Sequence, residues 1–487
     1  MPFQRQVISY PIALVHKSDE GSIIKQELVS GLKRLAFSRA HNAYAIVLMA
    51  ATAYLIAAKW LVALTWDGSG SLFHSLQNGA PYISHHRLSN YPLLLALVEG
   101  GRWTSDGQLL GMLYGVLLAV TPIGSLALSL FFLRGSRLEP LRIWPVIGIL
   151  LATLPGEICL MSEASLAVQA FWPIPAFLFA GAPGWAWPWV ALLSVYLFFL
   201  HPTSSVLFAL CAIIAAYCLE GRRRVTCWAA TFGLLAITRF LFSWEFATSY
   251  ERSELHFSPN WHAFHGSILG MPLFLLAGLY LLAVVAFLRG TNRLPSPSTR
   301  RIIWGALLLL ILAGFVWAFD PRLWSGAISY RRFVLVCSLP LIALATLHQR
   351  WVMRQNITIT TVSPTARLSL FATAIFSAIY VVEAFSWRSA VTRFEKVLSV
   401  AAGPYLTLKD LPWAQETALD HWGSTPLSAI LQGRSPRVLF AMHPEDIHGA
   451  NIYLFPGDEL GVKDGWFLLA HRAATLKSSD KPTAYSN

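Results

Sequence analysis

Apolar runs close to the thickness of a bilayer recur along most of this sequence, and no soluble fold has room to bury so many of them. A spanning helix needs about 20 predominantly apolar residues, with a range of about 17 to 25. At that length the chain shows runs near 42–66, 108–133, 143–162, 164–182, 184–200, 203–219, 226–244, 268–288, 302–319, 332–347 and 368–386. Backbone groups left unpaired in lipid are costly, so runs of this kind are read as helices. The expected fold is an all-α polytopic membrane protein with about eleven transmembrane helices. Only 13% of residues are charged, roughly half the soluble norm. The 19 tryptophans suit two interfacial belts.

Loop charges then orient the chain. Arg134, Arg137 and Arg142 share one set of connections with Arg222, Arg223 and Arg224, with Arg289, Arg293, Arg300 and Arg301, and with Arg350, Arg354 and Arg367. Cytoplasmic connections carry the excess of Lys and Arg, so this set is read as inside. Residues 1–41 become a cytoplasmic tail, with Lys33, Arg34 and Arg39 ahead of the first span and no signal-peptide pattern. The net charge of +12 is then topogenic, and no nucleic-acid partner is expected. Residues 42–386 form the membrane domain. An odd number of spans puts 387–487 outside, as a small C-terminal α/β or α+β domain with short apolar runs such as "NIYLF". The expected location is the bacterial inner (cytoplasmic) membrane, with the N-terminus inside and the C-terminus outside.

The outer connections are 67–107, the turn at Glu163, the turn at His201, 245–267 and 320–331. In the first, Leu72, Phe73 and Leu76 fall on one face of an interfacial helix, with Asp67, Ser71, His74 and Ser75 beside them. Gly79, Pro81 and Pro92 break the pattern. The cysteines have no metal-type spacing and make no disulfide framework. Asp67 follows Trp66 at the outer end of the first span. Its carboxylate has two readings: a solvated loop acid, or a general base whose pKa the apolar slab raises.

The acid followed by "SLFHSLQNGAPY", on a chain with this span layout, resembles the GT-C superfamily of integral membrane glycosyltransferases. The residue match is confined to about 67–92. The resemblance implies a sugar donor carried on a polyprenyl phosphate, an acceptor that is a glycan, lipid or protein, inversion at the anomeric carbon, and Asp67 as catalytic base. Here the acid is followed by Gly68, not by a second acid as in some branches, which leaves the branch and metal dependence open.

With such a donor, Tyr82, His85, His86 and Arg87 in "YISHHR" are candidates to contact the phosphate, since Arg and protonated His give charge-assisted donors. Attraction to lipid headgroups is the other reading. Glu157 and Glu163 flank "ICLMS"; an acid at membrane depth is a functional candidate, here to orient the acceptor or hold a divalent cation, or else an ordinary interhelical partner. Arg252, His262 and His265 in the 245–267 connection, and Arg322, Tyr330 and Arg331 in the next, are candidates for a cationic and aromatic wall. No spacing demands a metal site. The rival readings are a transporter or flippase of a lipid-linked intermediate, which needs polar groups at mid-membrane, and an O-antigen-type polymerase or ligase, which normally has a very large late outer loop.

Overall fold

The computed structural model describes residues 41–65, 67–83, 87–135, 137–152, 163–246, 327–354, 364–403, 405–416, 419, 423–434 and 436–441. They are mostly helical. Among the described residues, four helices are long and apolar enough to cross a membrane: α1 (His41–Lys59), α4 (Gly107–Phe132), α10 (Arg222–Glu245) and the stretch Arg367–Val400 of α12 (Pro364–Val400). The expected spans 268–288 and 302–319 lie outside the described residues, and 332–347 falls within α11 (Ala327–Arg354).

Other apolar runs take a different form. The run 164–182 is two short helices, α6 (Glu163–Phe171) and α7 (Pro173–Phe179), because Pro173 and Pro175 supply no N–H to continue the ladder. Every residue of α7, and all of α6 after Glu163, is buried, so these apolar side chains meet protein. α5 (Ile143–Leu151) is buried throughout as well. Apolar on all sides, such helices belong inside a bundle. Around them stand α4, α8 (Trp187–Phe198), α9 (Ser204–Cys218) and α11. A Cβ on Gly148 would fall 1.9 Å from the Trp172 ring, so glycine lets that ring lie on the α5 backbone. Likewise Gly115 brings α4 within contact of the Ala58 backbone of α1, the small-residue packing familiar between membrane helices.

The bundle has two chemically distinct ends. At one, Arg137 donates to the Met353 carbonyl (3.1 Å), Arg142 Nε donates to the Leu133 carbonyl (3.0 Å) and the Arg350 guanidinium lies 4.2 Å from the Tyr217 ring. Arg134 sits over Phe131 and the exposed Trp185. At the other end lie α2 (Asp67–Asn78), α3 (Tyr91–Trp103) and the segment after α12. That segment pairs β1 (Tyr405–Thr407) with β2 (Leu439–Ala441) in parallel, with α13 (Ser424–Gln432) between them in sequence. α13 packs on α2 and α4, and α12 runs unbroken through residue 387, so the described part of the tail continues the last helix and closes on the first connection. Leu234, Ile237, Phe240 and Leu241 on α10 remain exposed, as suits a lipid-facing surface.

α1 stops before the run ends. Leu61 adopts φ 63°, a single 3-10 turn follows (Val62–Leu64), and Trp387 Nε1–H donates to the Leu61 carbonyl at 3.0 Å. A non-glycine residue in this conformation persists only where its surroundings fix it; here the surroundings are the indole of α12.

Candidate functional site

α2 begins at Asp67, directly after this break. Gly68 N–H donates to the Thr65 carbonyl (3.0 Å), and a Cβ at position 68 would stand 1.7 Å from the Ala63 carbonyl oxygen. Only glycine fits at this position. Ser69 Oγ donates to the Gly423 carbonyl at 2.7 Å, joining α2 to the turn before α13. Leu72, Phe73 and Leu76 are buried, the face that their spacing predicts. Gly79 then takes φ 60° and turns the chain back. The returning strand is held where Tyr82 N–H donates to Ser75 Oγ (3.0 Å) and the Tyr82 ring meets His74 at 4.7 Å. Burial pushes the His74 pKa down, against the opposing effect of its bond to Gln77, so His74 is a neutral ring at neutral pH.

Pro92 does not break a helix, as expected from sequence, but starts one: it lies in the first turn of α3, where no N–H is needed. The turn before it carries the charged part of the site. Ser89 N–H reaches the Phe199 carbonyl (3.5 Å) and Ser89 Oγ donates to the Tyr196 carbonyl, which anchors this turn to the end of α8. From that turn Arg87 Nη1 donates to Glu163 Oε2 at 2.6 Å, and Asn90 Nδ2 to Glu163 Oε1 at 3.3 Å. The side chains of Arg87 and Glu163 are only 9% and 12% exposed. Burial on this scale strengthens the attraction and raises the cost of losing either partner. Near by, Tyr196 and Thr121 share a hydroxyl–hydroxyl bond of 3.0 Å.

Arg87 is thus held by Glu163 and largely withdrawn from solvent. If Arg87 holds a donor phosphate, the reading proposed below, Arg87→Ala weakens use of that donor about ten- to a hundredfold, the worth of a charge-assisted hydrogen bond, and Arg87→Lys recovers part of it by keeping the charge without the fork. KM for the lipid-linked donor measures this. Undiminished activity in both variants would return Arg87 to a structural role.

The structure thus brings Arg87 and Glu163 together and sets Tyr82 against His74 and Ser75. Asp67 is placed by its backbone alone, and so are Tyr330 and Arg331, on α11. Glu157, His85, His86, Arg252, His262, His265 and Arg322 lie outside the described residues. Among the described residues no three His, Cys, Asp or Glu side chains converge as metal ligands. A guanidinium 2.6 Å from Glu163 also opposes a cation on that carboxylate. Sequence reasoning misses Ser89, Asn90 and Tyr196; the polar run "RLSN" ahead of Pro92 signals the first two, and nothing local signals Tyr196.

The bundle interior also holds polar groups that the apolar runs concealed. Gln169 is fully buried with neither carboxamide atom hydrogen-bonded, the Trp172 Nε1–H likewise, and Trp144 Nε1–H donates to His348 Nδ1 at 2.9 Å.

No family model matches the chain, and neither curated proteins nor solved structures yield a match. Function rests on the site.

Proposed function

We propose that the protein is a membrane glycosyltransferase of GT-C type, which moves a sugar from a polyprenyl-phosphate donor to an acceptor hydroxyl on the outer face of the membrane. The observation that carries this reading is the buried Arg87–Glu163–Asn90 cluster, at the same end of the bundle as the helix that opens on Asp67. Arg87 holds the donor phosphate. Asp67 accepts the proton as the acceptor oxygen attacks the anomeric carbon. The bond from that carbon to the phosphate oxygen breaks and its electron pair leaves with the lipid phosphate, where the cation offsets the growing charge.

The orientation proposed has the arginine-rich end inside and α2, α3 and the β1–α13–β2 segment outside. Cysteines introduced at Arg222 and Lys409 test it: an impermeant maleimide should label intact cells or spheroplasts at 409 and not at 222. The reverse pattern would remove every site residue from the outer face.

The activity test is a sugar-transfer assay with the purified full chain in nanodiscs and a panel of polyprenyl-phosphate sugars. Release of polyprenyl phosphate only when an acceptor is present supports the reading; no turnover across the panel counts against it.

Gln169 and the Trp172 indole favour a second reading, passage of a polar headgroup along α6, because unpaired polar groups inside a membrane bundle are costly. Proteoliposomes that translocate a lipid-linked sugar without transferring it would replace the enzyme reading with a flippase.

A further inference from the structure

We infer that Glu163 governs release of the spent lipid: its carboxylate beside Arg87 makes the site disfavour a phosphate dianion relative to the monoanionic phosphodiester of the donor. The inference rests on the reading of Arg87 as the holder of the donor phosphate.

The reasoning is one of charge. The donor is a phosphodiester, with one ionisable oxygen and one negative charge. Transfer cleaves its bond to the sugar, and the lipid is left as a phosphomonoester that carries about −1.5 to −2 near pH 7. A lone guanidinium would grip that product more tightly than the donor, and each turnover would end in inhibition.

Here the guanidinium is not alone. Glu163 Oε2 lies 2.6 Å from Arg87 Nη1, so the pair presents no net charge. Asn90 holds the other carboxylate oxygen without adding charge. Two bonds from Ser89 to the end of α8 fix the turn that carries both Arg87 and Asn90, so this turn and its carboxylate stay together. A phosphate that docks on Arg87 therefore lies within a few ångströms of the carboxylate, and its second negative charge meets repulsion in surroundings only partly screened by water. At an effective dielectric near 20, discounted for the residual exposure, that repulsion amounts to about tenfold in affinity. The hydrogen bonds of the phosphodiester to the guanidinium still form. Arg87 confers the grip and Glu163 limits it.

The probes are a polyprenyl phosphate monoester and its methyl phosphodiester, measured as competitors for the full chain in nanodiscs at pH 8. At that pH the monoester is dianionic. The wild type should bind the two probes within about threefold of each other. Glu163→Gln should shift the ratio about tenfold toward the monoester, and Arg87→Ala should weaken both. A wild type that already prefers the monoester tenfold overturns the inference without recourse to any variant. Glu163→Gln that tightens both probes equally, or neither, overturns it too, and leaves Arg87 as the phosphate holder. A wild type that binds neither probe overturns the phosphate reading itself.

Discussion

Asp67→Asn is expected to fold, insert, bind lipid-linked sugar and turn it over about 10²- to 10⁴-fold more slowly, the usual contribution of a positioned general base. That loss corresponds to about 3 to 5 kcal/mol in the barrier. Folding survives because Asn matches Asp in size and serves a helix start almost as well; Asp67 is the first residue of α2. On the proposed reading binding survives, because the phosphate is then held at Arg87 and not at this carboxylate. Single-turnover rates, with donor affinity measured in parallel, separate the two effects. Glu157→Gln and Glu163→Gln belong in the same series, since an acid that carried the proton in place of Asp67 would show the larger loss. Wild-type turnover in Asp67→Asn would reduce the opening of α2 to a membrane-surface feature.

The second large effect is expected one residue on. Gly68→Ala places a methyl carbon 1.7 Å from the Ala63 carbonyl oxygen, and a backbone atom cannot rotate out of the way. Overpacking typically costs about 1 to 3 kcal/mol, and a fixed backbone obstacle belongs at the upper end. Relief of the clash must shift the start of α2, and with it Asp67. A displacement of about 1 Å at a catalytic group is worth up to about 10²-fold in rate. Gly124→Ala is the control: nothing lies within 4 Å of its Cβ, and α4 is helical there, so stability should hold or rise slightly. Thermal unfolding in nanodiscs and transfer rates test both variants together. If Gly68→Ala is as stable and active as wild type, the close approach to Ala63 does not hold the site.

What the sequence disclosed follows from what a local pattern can carry. Leu72, Phe73 and Leu76 have helical spacing, and a break at Gly79 needs no partner to be recognised; both appear as expected. Of the arginines used to orient the chain, Arg134, Arg137, Arg142 and Arg350 lie among the described residues at one end of the bundle. Apolar runs, however, report only that water is excluded. Residues 164–182 are as greasy as a span, yet α6 and α7 are enclosed by protein, and Pro173 splits them. Proline gives a boundary without its direction, since it can follow one helix or begin the next, and Pro92 lies in the first turn of α3. The Arg87–Glu163 pair joins residues 76 apart, and no periodicity links them. The same holds for Leu61 and the indole that fixes it.

Those long-range closures also set an order of assembly. The Leu61 carbonyl waits for a donor 326 residues downstream, Ser69 for an acceptor 354 residues on, and the Gly101 carbonyl for the Arg434 guanidinium, 333 residues on. At about 5 to 20 residues per second of synthesis, the first of these bonds is delayed by roughly 16 to 65 s after Leu61 leaves the ribosome. During that interval α1 and α4 can already lie in the bilayer, while the segment that opens on Asp67 lacks its far wall. A chain that stops before residue 423 leaves inserted helices with no acceptor for Ser69, and the bond that seats α2 against the turn before α13 joins only once nearly all the helices are made.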